Sequence, residues 1–243
     1  MEATFRECVR QSSQTYQGTV WNGVEGRDFG GGFVEGWQVL VRPVVEYGAE
    51  IWGEKKWKLG EDLQIEMGRR VLGVSRMTTR EVIQGELGLE KISSRRIILR
   101  YWKKLIEMKK SRLIYKIYKE RRREFIKEGK RDKRNWCYWT WHYLKDLHLE
   151  HVWESEKLPV GKNFDSLVKK LVRKKEESEW RENMKKKSKL RLYRQLKDRL
   201  VLEDYVVELD RAKRRQLTML RGGTNSLRIE IGRWRGESEE ESM

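Results

Sequence analysis

Cysteine and proline are almost missing from this chain. Cys8 and Cys137 are the only thiols, so a disulfide framework is excluded and a reducing compartment is expected. Pro43 and Pro159 are the only prolines. Proline removes a backbone donor and clashes with the preceding turn, so its scarcity favours long helices. No apolar run approaches the roughly 20 residues that cross a bilayer, and residues 1–17 mix charges with polar side chains around no apolar signal core. The expectation is an intracellular chain, nuclear or cytoplasmic, with no membrane partner. Adjacent aspartates are also absent. Polymerase chemistry needs two or more carboxylates that hold divalent metals, and the nearest acidic neighbours, Glu61-Asp62 and Glu203-Asp204, read as solvated helical faces. No Gly-Xaa-Ser-Xaa-Gly elbow occurs. An enzyme is therefore not expected, nor catalytic residues, a cofactor or a metal.

Positive charge is abundant. Against 38 acidic residues stand 55 lysines and arginines, a formal net charge of +17. The natural partner of such a chain is a polyanion, nucleic acid before all others. The charge is also concentrated. Residues 95–134 hold 18 basic and 5 acidic side chains, and residues 169–199 hold 14 and 5. The rest of the chain is net acidic, ending in Glu237, Glu239, Glu240 and Glu241. Charged residues make up 38% and apolar residues 37%, against a usual charged share of roughly 25%. A core can form, but it is thin.

The patterning predicts an all-α fold, an elongated bundle with long basic helices. Residues 1–36 carry seven glycines without apolar periodicity and read as a flexible segment. The triple glycine at 30–32 lacks the Gly-Lys-Ser/Thr of a phosphate loop. A helical domain with the long basic helix is expected over 37–158, a second helical segment over 159–236 with an irregular end, and an acidic tail over 237–243. Trp37 to Trp52 predicts a kinked helix, or two pieces meeting at Pro43. Leu63, Met67, Val71 and Leu72 define the next helix, stopped by Gly73. Thr78 with Glu81 has the spacing of a capping box. Ile98, Trp102, Leu105, Ile106, Leu113 and Ile117 place one long helix over about 93–125. Asn163 is positioned to cap a helix running towards Asp198, with Phe164, Leu167, Val168 and Leu171 on its apolar face. Tyr47, Trp52, Leu63, Val71, Leu87, Ile98, Trp102 and Leu105 are the expected amino-terminal core.

The candidate site residues lie on the basic stretches. Lys103, Lys104, Lys109, Lys110 and Arg112 fall between apolar anchors, and Arg121, Arg122 and Arg123 form a block. Such cations neutralise phosphates without reading sequence. The aromatic run from Trp136 to Trp141 has two readings, core packing first and stacking on unpaired bases second; as an exposed patch it would serve a protein partner. His142, His148 and His151 are too spread, with Cys137, to form one zinc cage, because about four ligands must converge.

Three segments carry a family resemblance. Pro43, Tyr47, Gly48, Glu50 and Trp52 fit a Pro-x3-Tyr-Gly-x-Glu-x-Trp pattern. Leu63-Gln64 through Arg69-Arg70-Val71-Leu72-Gly73 is followed by Glu86-Leu87-Gly88 and a basic stretch. Leu220-Arg221-Gly222-Gly223-Thr224 leads to Leu227-Arg228, Glu230 and Gly232-Arg233-Trp234. In this order, over residues 37–236, they resemble the thumb and post-thumb region of non-LTR (LINE-like) retrotransposon reverse transcriptases. That resemblance implies a helical bundle gripping the backbones of template and primer, with Arg221, Arg228 and Arg233 as contacts to RNA or DNA. It implies that Glu230 pairs with one of these arginines, and that Trp52 and Trp234 pack. Gly222, Gly223 and Gly232 read as turn glycines. The family's palm, with its Tyr-Xaa-Asp-Asp metal site, would precede residue 37, and its Cys/His zinc knuckle would follow the last motif. Residues 1–36 do not match the palm, and the chain stops at Met243 short of the knuckle. The expectation is a catalytically inactive fragment that binds the phosphate backbone. A helical protein-interaction module and a pseudogene-like remnant without activity are the alternatives.

Overall fold

Helices dominate the computed structural model, which describes residues 36–52, 58–92, 94–159 and 163–225, and among these residues no strand or sheet occurs. The fold is all-α. In chain order, a π-turn at Trp37–Val41 precedes α1 (Arg42–Val45), α2 (Ala49–Trp52), α3 (Lys58–Leu72), α4 (Arg80–Glu86), α5 (Ser94–Glu107) and α6 (Leu113–Lys127). There follow α7 (Trp136–Asp146), α8 (Glu150–Ser155), α9 (Phe164–Lys185), a 3₁₀ turn at Ser188–Leu190, α10 (Arg191–Leu196), α11 (Asp204–Glu208) and α12 (Arg211–Arg221). The glycine-rich stretch, the motif beyond Asn225 and the acidic tail lie outside the described residues.

The helices form two compact units that are not consecutive stretches of chain. Of the described residues, the first takes 36–45, 58–91 and 177–225; the second takes 46–52, 92, 94–159 and 163–176. In the first unit, Val82, Trp180, Met184, Leu190, Tyr193 and Leu200 form a buried cluster. Buried indoles and phenols need partners: Trp180 Nε1 donates to the Glu81 carbonyl at 2.9 Å. Gly73 ends α3 in the left-handed region, at φ +68. The Val74 N–H reaches back to the Arg69 carbonyl and Gly73 N–H to that of Arg70, the paired bonds of a Schellman stop. Gly88 (φ +60) lies where a Cβ would come within 2.6 Å of the Leu202 nitrogen. Its bare backbone lets Leu87 bridge to Leu202 and the Glu203 N–H donate to the Glu86 carbonyl.

In the second unit the core runs from Ile98, Leu99, Trp102 and Leu105 of α5 through Tyr118 and Phe125 of α6 to Leu144, Trp153 and Val168. Its polar interior is a relay: Trp102 Nε1 donates to the Tyr118 hydroxyl at 3.0 Å, and that hydroxyl donates to Glu156 at 2.7 Å. Lys119 and Arg122 also pair with Glu156.

Several expectations meet the fold directly. The 37–52 stretch is helical through Pro43, π-helical over Trp37–Val41 and α-helical over Arg42–Val45, so no two pieces meet at the proline; the helix breaks at the turn 46–48, ahead of α2. Asn163 caps α9 through its side chain, which accepts from Asp165 and Ser166 N–H groups. Leu87, Ile98, Trp102 and Leu105 are buried, whereas Leu63 and Val71 are half-buried.

Four expectations are corrected. The single helix over 93–125 is two helices, α5 and α6, with the break at residues 108–112. Beyond this break, Leu113 (70% exposed) and Ile117 (52%) turn to solvent, and Tyr118 and Phe125 take the inward positions. Tyr47 is 81% exposed rather than in the core; it sits in the turn between α1 and α2. The capping box is not formed, since Thr79 occupies the cap of α4, Thr78 meets Thr224 and Glu81 pairs with Lys187 at 2.5 Å. The helix from Asn163 stops at Lys185 instead of running towards Asp198. The shorter turns that follow put Leu190 and Tyr193 into the first unit's core.

Candidate nucleic-acid interface

The basic stretch sorts itself by what lies beneath it. Lys103, on α5 beside buried Trp102, bonds Asp165 at 2.9 Å; that bond to Asp165 raises its pKa above the ordinary lysine value. Lys104, one residue on, is exposed. Lys109, Lys110 and Arg112 occupy the break between α5 and α6, all exposed, with Arg112 at the extended cap position of α6. None of these last four has an ion-pair partner among the described residues.

On α6 the predicted arginine block divides. Arg121 and Arg123 point outward and pair with Glu124 and Glu120 of their own helix, at 3.0 and 2.9 Å. Exposed pairs at this spacing are worth only a few tenths of a kcal/mol, so both arginines can exchange their carboxylates for phosphates. Arg122 turns the other way. Its guanidinium donates to the Trp153 and Glu154 carbonyls at 3.1 Å, lies 3.3 Å from Glu156 and covers the Trp153 ring at 4.5 Å. It stitches α6 to α8 and is withdrawn from the surface, because residue 122 falls on the same side of the helix as Tyr118 and Phe125. Burial pushes the Glu156 carboxyl upward, but Lys119, Tyr118 and Arg122 outweigh that and hold it below the usual glutamate range.

Arg221 also departs from its expected role. Its guanidinium bonds Glu86 at 2.9 Å and Glu203 at 3.0 Å and lies over the Tyr205 ring. Glu86 is fully buried, and its burial, offset in part by Arg221, raises its pKa. Arg221 therefore balances an interior carboxylate and does not reach solvent as a free cation. Gly222 and Gly223 follow as turn residues at the end of α12, Gly223 with φ +61. Arg228, Glu230, Gly232, Arg233 and Trp234 lie outside the described residues, and so does the side chain of Trp52.

Other exposed cations extend the surface. Lys116 and Lys127 share an outward face of α6 with Arg123, at spacings of seven and four residues that helical geometry aligns. Arg131, Lys133 and Arg134 continue beyond Gly129. Their alignment was legible in the spacing, once the direction of the inward face was known.

The aromatic run is half-buried. Trp136, Tyr138, Trp139 and Trp141 pack against the second unit's core, and Trp136 Nε1 donates to the Glu50 carbonyl at 2.8 Å. Cys137 is buried beneath them, its thiol pushed up to about 12 by burial; it has no nucleophilic character at neutral pH. His148 and His151 are exposed, and among the described residues no three metal-ligating side chains converge. No described helix is long and apolar enough to cross a membrane. Comparison with known proteins finds no matching family model, no matching curated protein and no matching solved structure.

Proposed function

We propose that this chain binds the phosphate backbone of RNA or DNA without reading base sequence and without itself catalysing a reaction, in the manner of a reverse-transcriptase thumb. The carrying observation is the run Lys104, Lys109, Lys110 and Arg112, four exposed cations with no carboxylate opposite them among the described residues. Lys116, Arg121, Arg123 and Lys127 lengthen that run along α6. Each cation that replaces a condensed counterion on a phosphate releases it to solution, so affinity is driven by the entropy of released salt. The motif pattern over residues 37–236 supports the retrotransposon origin, and the lack of adjacent aspartates in the sequence supports the non-catalytic reading.

Fluorescence anisotropy with labelled single-stranded RNA across a salt series tests this reading. Binding should fall steeply with salt, with a log–log slope of roughly −0.7 for each neutralised phosphate. Lys109→Glu, Lys110→Glu and Arg112→Glu together should shallow that slope and leave the helical circular dichroism unchanged. Absence of binding at low salt, or a flat salt response, sinks the proposal.

A further inference from the structure

In a chain where 38% of residues are charged, the outward face of a surface helix should carry lysine and glutamate. Helix α7 carries none of these from Trp136 to Leu144, and each residue of that stretch is buried or half-buried. Its inward side is satisfied by Cys137, Thr140, Tyr143 and Leu144, all buried. The other side carries aromatic rings that are half-buried, Tyr138 and Trp141 lying against Phe125 of the core. Tyr138 and His142, one turn apart, lie parallel, with ring centroids 5.6 Å apart and planes within 11°. Trp139 stands edge-on to both and is anchored by its Nε1 donating to the Lys133 carbonyl at 3.0 Å. Trp141 completes the set at 6.2 Å from Tyr138.

Cations ring these aromatics. Lys145 lies 5.0 Å and Lys130 5.8 Å from the Trp141 ring centre, Lys130 being shared with Glu154 at 3.2 Å. Arg131, Lys133 and Arg134 are exposed on the approach to the helix, Arg134 contacting Asp132 at 3.3 Å. Flat π-surfaces inside a positive rim match one occupant in particular: a strand whose bases are unstacked from a partner and whose backbone is anionic. A duplex keeps its base faces covered and offers this patch only phosphates.

We infer that the half-buried aromatic side of α7 is a stacking site for unpaired bases, with Tyr138 and His142 as the stack and Trp139 as its wall. The inference rests on the backbone-binding reading above and adds to it a preference for single strands. The cations of the 104–127 surface hold either form of nucleic acid, and α7 rewards the unpaired one.

The test compares an unstructured oligouridine with duplex RNA of equal length, on the full chain at one salt concentration. His142→Ala alone, and Tyr138→Ala with His142→Ala, should weaken oligouridine binding roughly five- to hundredfold between them and leave duplex binding within about twofold. Tyr138 also meets buried Phe125 edge-on, so a melt is recorded for each variant. Photo-crosslinking of iodouridine RNA to the unaltered protein, mapped by mass spectrometry, needs no variant at all and should mark Tyr138, Trp139 or His142. Equal losses for both ligands, no loss for either, or crosslinks confined to residues 104–127 would overturn the stacking site while leaving backbone binding intact. An unaltered chain that binds neither ligand defeats the backbone reading itself.

Discussion

Arg122 and Arg123 are neighbours in a block of three identical residues, yet one is an interior strut and the other a surface cation. Helical geometry separates their directions by about 100°, and Trp153, Glu154 and Glu156 meet only the first. The carboxylate that Arg122 and Lys119 share in this corner, Glu156, also accepts from the Tyr118 hydroxyl. Tyr118→Phe should cost about 1–3 kcal/mol, because it strands the Trp102 N–H and removes a donor from Glu156 in one step; urea denaturation measures it, and a change below ~0.5 kcal/mol, the size expected of a neutral surface change, would refute the relay. Glu156 also sets a pH dependence. Its folded pKa lies below the ordinary 4.5, so its stabilisation is present above that value and is lost as pH falls through the lower folded one. Glu156→Gln should flatten the decline in stability expected of the native chain below about pH 4.5. An unchanged acid limb would assign that decline to other carboxylates.

Elements end here for local reasons and turn inward for distant ones. Which apolar groups of α6 are buried depends on the elements packed against it, α8 among them. Leu113 and Ile117 look like core in a linear reading and are exposed; Arg122 and Lys119 look like surface and are ordered. The same contrast applies to glycines. Gly88 and Gly129 both adopt positive φ, +60 and +67. A Cβ on Gly88 would strike the Leu202 backbone, whereas on Gly129 the nearest atom is the end of the Arg131 side chain at 3.9 Å. Gly129→Ala should cost about 1 kcal/mol of backbone strain, and Gly88→Ala more than ~2 kcal/mol, since strain and collision add. Parallel thermal melts decide this; equal costs would mean that the 88–202 approach yields easily.

At the scale of the whole molecule, net charge divides between surface and interior in a way composition cannot reveal. Arg221 is consumed by Glu86 and Glu203 in the first unit, as Arg122 is by Glu156 in the second. Removing one partner of such a buried pair leaves an uncompensated charge, so Arg221→Ala should cost roughly 3–5 kcal/mol. It should do so without altering the salt slope of nucleic-acid binding at temperatures where the variant remains folded. A shallower slope with unchanged stability would return Arg221 to the binding surface.

The sequence by itself determined the helical class, the stop at Gly73 and the Asn163 cap. Each follows from interactions within a few residues, which spacing and side-chain type express directly. It also located the concentration of positive charge, because charge is a sum over residues and needs no coordinates. Tertiary structure alone decided which of those cations remain in solvent, which side of α6 faces Trp153, and that α7 keeps half-buried aromatic rings on one side. It also decided that the two units draw on interleaved stretches of chain. These outcomes depend on partners tens of residues away, such as Glu86 for Arg221 and Glu50 for Trp136. Burial is a property of the packed neighbours, and no local pattern encodes who they are.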